Sequence, residues 1–277
     1  MIIREFNLKQ IFPDLGDSSA APRLTVYLPD EVMNRPDFKR PSMLICPGGG
    51  YCSCSDREAE PIALYFLPEG FNVFVLRYTC APSRFPTQIR EVAAAMEFIY
   101  QNAQEWKCDT TKISIMGFSA GGHLAGHYST SFDCPEVREI FPESKAPNAT
   151  VLCYPVLSAK EGKCHSGSFS ALLGHYPLTE DEMKRFSIEN CVKENTPPAF
   201  LWHTASDGVV PVYSSLAYAN ALSEHKIPFE LRVFPYGQHG VATCDQQTLD
   251  DDKPCYAYDK VWIKEALDWL KYMNLAK

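Results

Sequence analysis

A serine, an aspartate and a histidine are placed in this chain where together they could make a nucleophile. Residues 117–122 read Gly117-Phe118-Ser119-Ala120-Gly121-Gly122, a G-x-S-x-G pattern, followed by the helix-compatible run His123-Leu124-Ala125-Gly126-His127. The pattern works mechanically only at a sharp turn from a strand into a helix. At such a turn the serine takes a strained backbone conformation, the glycines avoid collision with neighbouring elements, and the hydroxyl is held out. The same turn would aim the Ala120 N–H, at a helix start, toward an oxygen that becomes negative during attack.

A serine hydroxyl is a weak nucleophile near neutral pH and needs a base, for which histidine is suited. Of the seven histidines, His239 in Tyr236-Gly237-Gln238-His239-Gly240 follows an apolar run and precedes the last helical segment, so it is the expected base. The acid that fixes the imidazole tautomer should lie between Ser119 and His239 at the carboxyl end of a strand. Asp207, in His203-Thr204-Ala205-Ser206-Asp207-Gly208, meets that condition, with a turn or cap role as the alternative. Asp181 and Glu182 fall where no strand would fix their geometry.

An oxyanion needs a second donor besides Ala120. The loop Pro47-Gly48-Gly49-Gly50-Tyr51 follows the first core strand, and its glycines would let the backbone approach a substrate oxygen. Gly49 or Gly50 is the expected donor, with the Tyr51 N–H as the alternative. A phosphate cradle does not fit, because no G-K-[ST] follows. His123 and His127, four apart, have metal-ligand spacing, but no H-E-x-x-H acid lies between them, so no metal is expected. His203 reads as a buried strand imidazole; His165, His175 and His225 are given structural roles.

These residues need elements to hold them. Short apolar runs rich in β-branched and aromatic residues cover Ser42 to Pro47, Asn72 to Tyr78, Ile113 to Gly117, Thr150 to Val156, Ala199 to His203 and Phe229 to Phe234. Near-continuous apolarity suits parallel strands buried on both faces. Leu24 to Leu28 is expected to add an edge strand. Ile89, Val92, Ala93, Met96, Ile99, Tyr100 and Ala103 mark one face of a helix opening near Pro86 and Thr87, with Thr87 as its N-cap. Trp262, Ala266, Trp269, Leu270 and Met273 mark another. Strand and helix alternating in this way predict an α/β architecture. About forty residues from Leu157 to Pro198 do not fit the alternation and are expected to form a small lid, with a helical stretch from Thr179 to Phe186. A solvent-facing insertion with no part in binding is the alternative.

Composition removes other classes. The chain has 277 residues, 45% hydrophobic and 22% charged, which is ordinary for a folded domain. A net charge of −8 disfavours nucleic acid, whose binding depends on clustered Lys and Arg. No charge block exceeds Asp250-Asp251-Asp252, and no apolar run approaches membrane-spanning length. Arg4, Glu5 and Asn7 interrupt the start where a secretory signal would be apolar, so a cytoplasmic protein is expected. The 11 cysteines lack any C-x-x-C pair and read as reduced thiols.

With those residues in view, the chain resembles the α/β-hydrolase superfamily, and within it small bacterial esterases related to acetyl xylan esterases and lipase-like enzymes. Pro47 to Tyr51, Gly117 to Gly122, Asp207 to Pro211 and His239-Gly240 carry the resemblance, and the order Ser, Asp, His along the chain is that superfamily's. The lipase-like branch usually has His-Gly-Gly-Gly where this chain has Pro47-Gly48-Gly49-Gly50, which shifts the likeness toward carbohydrate-ester hydrolases. The resemblance implies a mostly parallel sheet flanked by helices, one domain over residues 1–277, and no cofactor. It also implies a serine carboxylesterase that acts on small acyl esters of sugars, acetyl above all, through an acyl-enzyme. Tyr51, Tyr154 and Tyr213, with Trp202 and Tyr236, are aromatic groups that could stack on sugar rings; a core role is the alternative. Rival readings are a prolyl-oligopeptidase-like peptidase, an amide hydrolase of formamidase type, and an inactive binding protein. With roughly 45 residues before the glycine loop, a propeller of the kind that the peptidase would carry is not expected.

Overall fold

The computed structural model describes the whole chain except residues 17–18, 32–34, 36 and 250–252, so the acidic run at 250–252 lies outside the described residues. Eight strands form one sheet: β1 (Ile2–Asn7), β2 (Arg23–Leu28), β3 (Arg40–Cys46), β4 (Asn72–Arg77), β5 (Cys108–Phe118), β6 (Ala149–Cys153), β7 (Ala199–Thr204) and β8 (Phe229–Phe234). Their spatial order is β1-β2-β4-β3-β5-β6-β7-β8. β2 pairs antiparallel with both β1 and β4, whereas the pairings from β4 through β3 and β5 to β8 are all parallel. This is the α/β-hydrolase sheet.

The helices are α1 (Leu8–Ile11), α2 (Glu60–Phe66), α3 (Thr87–Gln101), α4 (Ser119–Ser131), α5 (Pro135–Arg138), α6 (Ser166–Leu173), α7 (Glu180–Phe186), α8 (Tyr213–Glu224), α9 (Pro254–Asp259) and α10 (Val261–Tyr272). The period-two alternation of the strands sends successive side chains into two cores. Leu44, Phe74, Leu76, Ile115, Leu152 and Leu201 meet α3, α4 and α8 on one face. Met43, Ile45, Val73, Val75, Met116 and Trp202 meet α2 and α10 on the other. Both faces of β3, β4, β6 and β7 are therefore dry, which is why these strands are apolar almost throughout.

Several element boundaries differ from the expectations. β1 was not expected: Ile2 and Ile3 are exposed, and the strand exists because its backbone pairs in register with β2 from Ile2–Leu28 to Asn7–Arg23. Thr87 is the first residue of α3 and not its cap, Pro86 holds the cap position, and no side chain caps that end. β6 stops at Cys153 because Tyr154 turns into the left-handed region, at φ 37°.

The 157–198 insertion is mostly docked. Leu157, Phe169, Leu172, Phe186 and Ile188 are buried in the core shared with α4. Thr179 caps α7 reciprocally with Glu182, each side chain accepting the other's backbone N–H. No helix among the described residues is long and apolar enough to cross a membrane.

Candidate active site

The carboxyl ends of the parallel strands deliver the candidate residues to one rim. β5 ends at Phe118 and α4 begins at Ser119, which holds φ 51°. That conformation is strained for a residue with a Cβ, at a cost of about 1–2 kcal/mol, and it lifts the side chain out of the strand line. The turn is too tight for larger neighbours. A Cβ on Gly121 would lie 2.1 Å from the Cys46 carbonyl oxygen, and one on Gly117 would lie 2.2 Å from the Gly121 carbonyl oxygen.

Three residues after β7, Asp207 reaches the same rim, and His239 arrives from the loop after β8. His239 Nε2 lies 2.8 Å from Ser119 Oγ, and His239 Nδ1 lies 2.7 Å from Asp207 Oδ2. A carboxylate can only accept, so Nδ1 carries the proton and the Nε2 lone pair faces the serine hydroxyl. The Asp207 side chain is 1% exposed, and its other oxygen accepts the N–H groups of Val209 and Val210, each at 2.9 Å. Burial alone would raise this carboxyl. Hydrogen bonds from His203 and His239, with the charge of His239 and the Val210 N–H, outweigh it and hold the carboxyl well below the usual carboxylate range.

The glycine loop leaves β3 beside this triad. Gly49, Gly50 and Tyr51 all have positive φ, 125°, 63° and 61°. The Gly48 N–H is donated to Glu58 Oε2 at 2.8 Å, while Gly49 and Gly50 border the cleft. The cleft has a volume of about 430 Å³ and is bordered by Ser119, His239, Gly49, Gly50, Glu58 and His165 among others. The arrangement brings a serine hydroxyl, an imidazole hydrogen-bonded to a carboxylate, and a glycine loop to one opening, a set of groups that could carry out acyl transfer.

The BD-FAE family profile matches residues 24–222. The chain belongs to the BD-FAE family. It is 41% identical to endo-1,4-beta-xylanase B of Butyrivibrio fibrisolvens over 234 residues, covering 82% of this chain and 35% of that protein. It is 27% identical to an acetylxylan esterase of Xylanibacter ruminicola, over 87% of this chain and 48% of that protein. The chain thus spans about a third to a half of the length of these curated relatives. Among solved structures, an acetyl ester-xyloside bifunctional hydrolase from Caldicellulosiruptor lactoaceticus superposes with a TM-score of 0.85 at 33% identity, covering 99% of this chain and 97% of that one. A carboxylesterase from Lactobacillus plantarum WCFS1 also gives 0.85, at 26% identity, covering 100% and 99%.

In this BD-FAE chain the three tyrosines offered for sugar stacking are placed otherwise. Tyr51 is 1% exposed and its hydroxyl donates to His123 Nδ1 at 2.7 Å. The turn's positive φ directs that ring into the core. Tyr154 is also 1% exposed, its hydroxyl donating to Glu58 Oε1 at 2.7 Å while its ring lies edge-on to His239 at 5.0 Å. Tyr213 opens α8 beside Lys160 and Lys163 and does not border the cleft. Trp202 is buried against Trp262, and Tyr236, 70% exposed, also lies off the cleft border. His123 Nε2 faces the Phe186 carbonyl at 3.1 Å, so it donates there, and both ring nitrogens are engaged within the protein.

Of three further residues that line or back the site, the sequence left Glu58 unremarked and gave His165 and His203 structural readings. Glu58, buried, joins the glycine loop to Tyr154; burial pushes its carboxyl up against the opposing pull of Tyr154, Gly48 and His239. His165 reaches the cleft from the insertion, its Nδ1 2.8 Å from Ser168 Oγ, and burial followed by the neighbouring His239 lowers its imidazole. His203 backs Asp207 from inside β7. Only His203 had a local signal, its i, i+4 spacing to Asp207.

Proposed function

We propose that this chain hydrolyses carboxylic esters by an acyl-enzyme mechanism, with acetylated xylo-oligosaccharides as its substrate class. Ser119 Oγ attacks the ester carbonyl carbon as its proton passes to His239 Nε2. Asp207, accepting from Nδ1–H, stabilises the resulting imidazolium without taking the proton. The carbonyl oxygen becomes an oxyanion held by the Ala120 N–H and by Gly49 or Gly50; one such donor is worth about 3–4 kcal/mol in the transition state. His239 then returns its proton to the leaving alcohol as the C–O bond breaks, leaving the acyl group on Ser119. Water, deprotonated by His239, attacks the acyl carbon, and the acid departs as Ser119 regains its proton.

The carrying observation is the unbroken Ser119–His239–Asp207 hydrogen-bond chain at 2.8 and 2.7 Å. The sugar part of the reading draws on the names of the xylanase and acetylxylan esterase relatives. We read residues 1–277 as one catalytic domain, with His165 and Gly167 of the 157–198 insertion forming the lid wall that meets the alcohol. Acetate release from acetylated xylo-oligosaccharides, set beside p-nitrophenyl acetate and longer acyl esters, tests it. Faster turnover of the acetylated sugars is expected; hydrolysis of the activated ester alone would overturn the substrate class.

A further inference from the structure

Three loops must hold their relative positions if the site is to work: the glycine loop with the oxyanion donors, the turn after β6, and the His239 loop. One buried carboxylate touches two of them and reaches the third through a single hydroxyl. Glu58 sits in a 3-10 turn at Asp56–Glu58 and is 4% exposed. Its Oε2 accepts the Gly48 N–H at 2.8 Å. Its Oε1 accepts the Tyr154 hydroxyl proton at 2.7 Å, and the Tyr154 oxygen in turn accepts the Ala242 N–H at 3.1 Å, three residues beyond His239.

The approach is close. A Cβ on Gly48 would lie 2.7 Å from Glu58 Oε2 and 2.9 Å from the Ser119 Cβ, so a glycine is needed for the carboxylate to come this near the nucleophile. The linked residues are also conformationally strained: Tyr154 has φ 37° and Ala242 has φ 46°. Strained turns persist when surrounding bonds over-determine them. An apolar side chain in place of Glu58 would leave the Gly48 N–H and the Tyr154 hydroxyl buried without acceptors.

We propose that Glu58 is a positioning residue, clamping the glycine loop and, through Tyr154, the His239 loop around Ser119. By taking the Gly48 N–H it sets the direction of the next two peptide planes, leaving Gly49 and Gly50 turned to the cleft. Through Tyr154, whose ring lies edge-on to His239, it holds the base at its working distance from Ser119. The inference rests on the acyl-enzyme reading, and its test separates the two.

The rate at which a p-nitrophenyl alkylphosphonate modifies Ser119 is measured with kcat and KM for p-nitrophenyl acetate, in wild type, Glu58→Ala, Glu58→Gln and Tyr154→Phe. Glutamine can still accept from Gly48 and can donate to the Tyr154 oxygen, so both ties survive without the charge. Glu58→Ala is expected to lose roughly 100-fold in modification rate and kcat, a loss the size of one misplaced oxyanion donor, with KM within about threefold. Glu58→Gln should recover to within about tenfold of wild type, and Tyr154→Phe should lose about tenfold. A folded Glu58→Ala within threefold of wild type, or a glutamine variant as slow as the alanine one, overturns the proposal. Should Glu58→Ala not fold, an undiminished rate in Tyr154→Phe overturns the tie to His239. Failure of the phosphonate to modify Ser119 in the wild type overturns the acyl-enzyme reading instead.

Discussion

His203 Nε2 lies 3.3 Å from Asp207 Oδ2 and 3.0 Å from the Val210 carbonyl oxygen, while its Nδ1 lies 2.8 Å from Ser215 Oγ. The carbonyl can only accept, so Nε2 carries the proton and shares it with Asp207. The carboxylate is therefore held from two sides, by His239 in front and His203 behind. This fixes the oxygen that sets the tautomer of the base.

Asp207→Asn should keep the fold and lose on the order of ten-thousand-fold in kcat, because an amide can present its N–H to Nδ1 and turn the imidazole to the wrong tautomer. His203→Gln should cost far less, about tenfold, since the other contacts of Asp207 remain. Steady-state kinetics on p-nitrophenyl acetate check both. A loss below tenfold for Asp207→Asn would assign the acid elsewhere.

His165 enters the cleft from the insertion and sits over the glycine loop; a Cβ on Gly50 would lie 4.0 Å from its Cε1. It touches none of the triad through a hydrogen bond. His165→Ala is expected to raise KM for acetylated xylo-oligosaccharides by about tenfold while leaving p-nitrophenyl acetate turnover within about threefold. Equal effects on the two substrates would deny the insertion a part in recognition.

Gly121→Ala should lose about 3 kcal/mol or more, because the new Cβ would stand 2.1 Å from one backbone oxygen and 2.3 Å from another, neither able to swing away. Gly208→Ala, with nothing within 4 Å of its Cβ, should change stability by less than about 0.5 kcal/mol. Denaturant unfolding of the two variants provides the comparison.

Asp259 is fully buried beside the Gly237 turn, and neither carboxylate oxygen has a hydrogen-bond partner among the described residues. Burial raises its pKa from the ordinary 3.8 to about 6. The folded state thus binds this proton more tightly than the unfolded chain. Its cost to stability is absent below about pH 4, grows as the pH rises toward 6, and is complete above that. Asp259→Asn should raise stability by on the order of 1–3 kcal/mol at pH 7.5 and leave it unchanged at pH 4. An equal gain at both pH values would assign the effect to packing.

The sheet could be read from the sequence because parallel strands covered on both faces are apolar without interruption, as in Val73-Phe74-Val75-Leu76. The edge strand Ile2–Asn7 could not, since it is held by backbone pairing and exposes its side chains. Ser119, Asp207 and His239 were singled out because each role demands one residue type at a strand's end. Glu58 and His165 carry no such signature. One is an ordinary acid in a short turn and the other a histidine in an irregular insertion, and both acquire meaning only from what folding brings beside them. The tyrosines differ from the expectation for a related reason: proximity to a loop in sequence says nothing about which way a ring turns, and Tyr51 and Tyr154, both at positive φ, are buried.

The most direct measurement mixes the protein with p-nitrophenyl acetate, quenches within one turnover in acid, and maps the attached acetyl group by peptide mass spectrometry. A single acetyl on Ser119, absent in Ser119→Ala together with a loss of up to about a million-fold in kcat, is the expected result. Full turnover in a folded Ser119→Ala protein, or acetyl carried on another residue, would contradict the account.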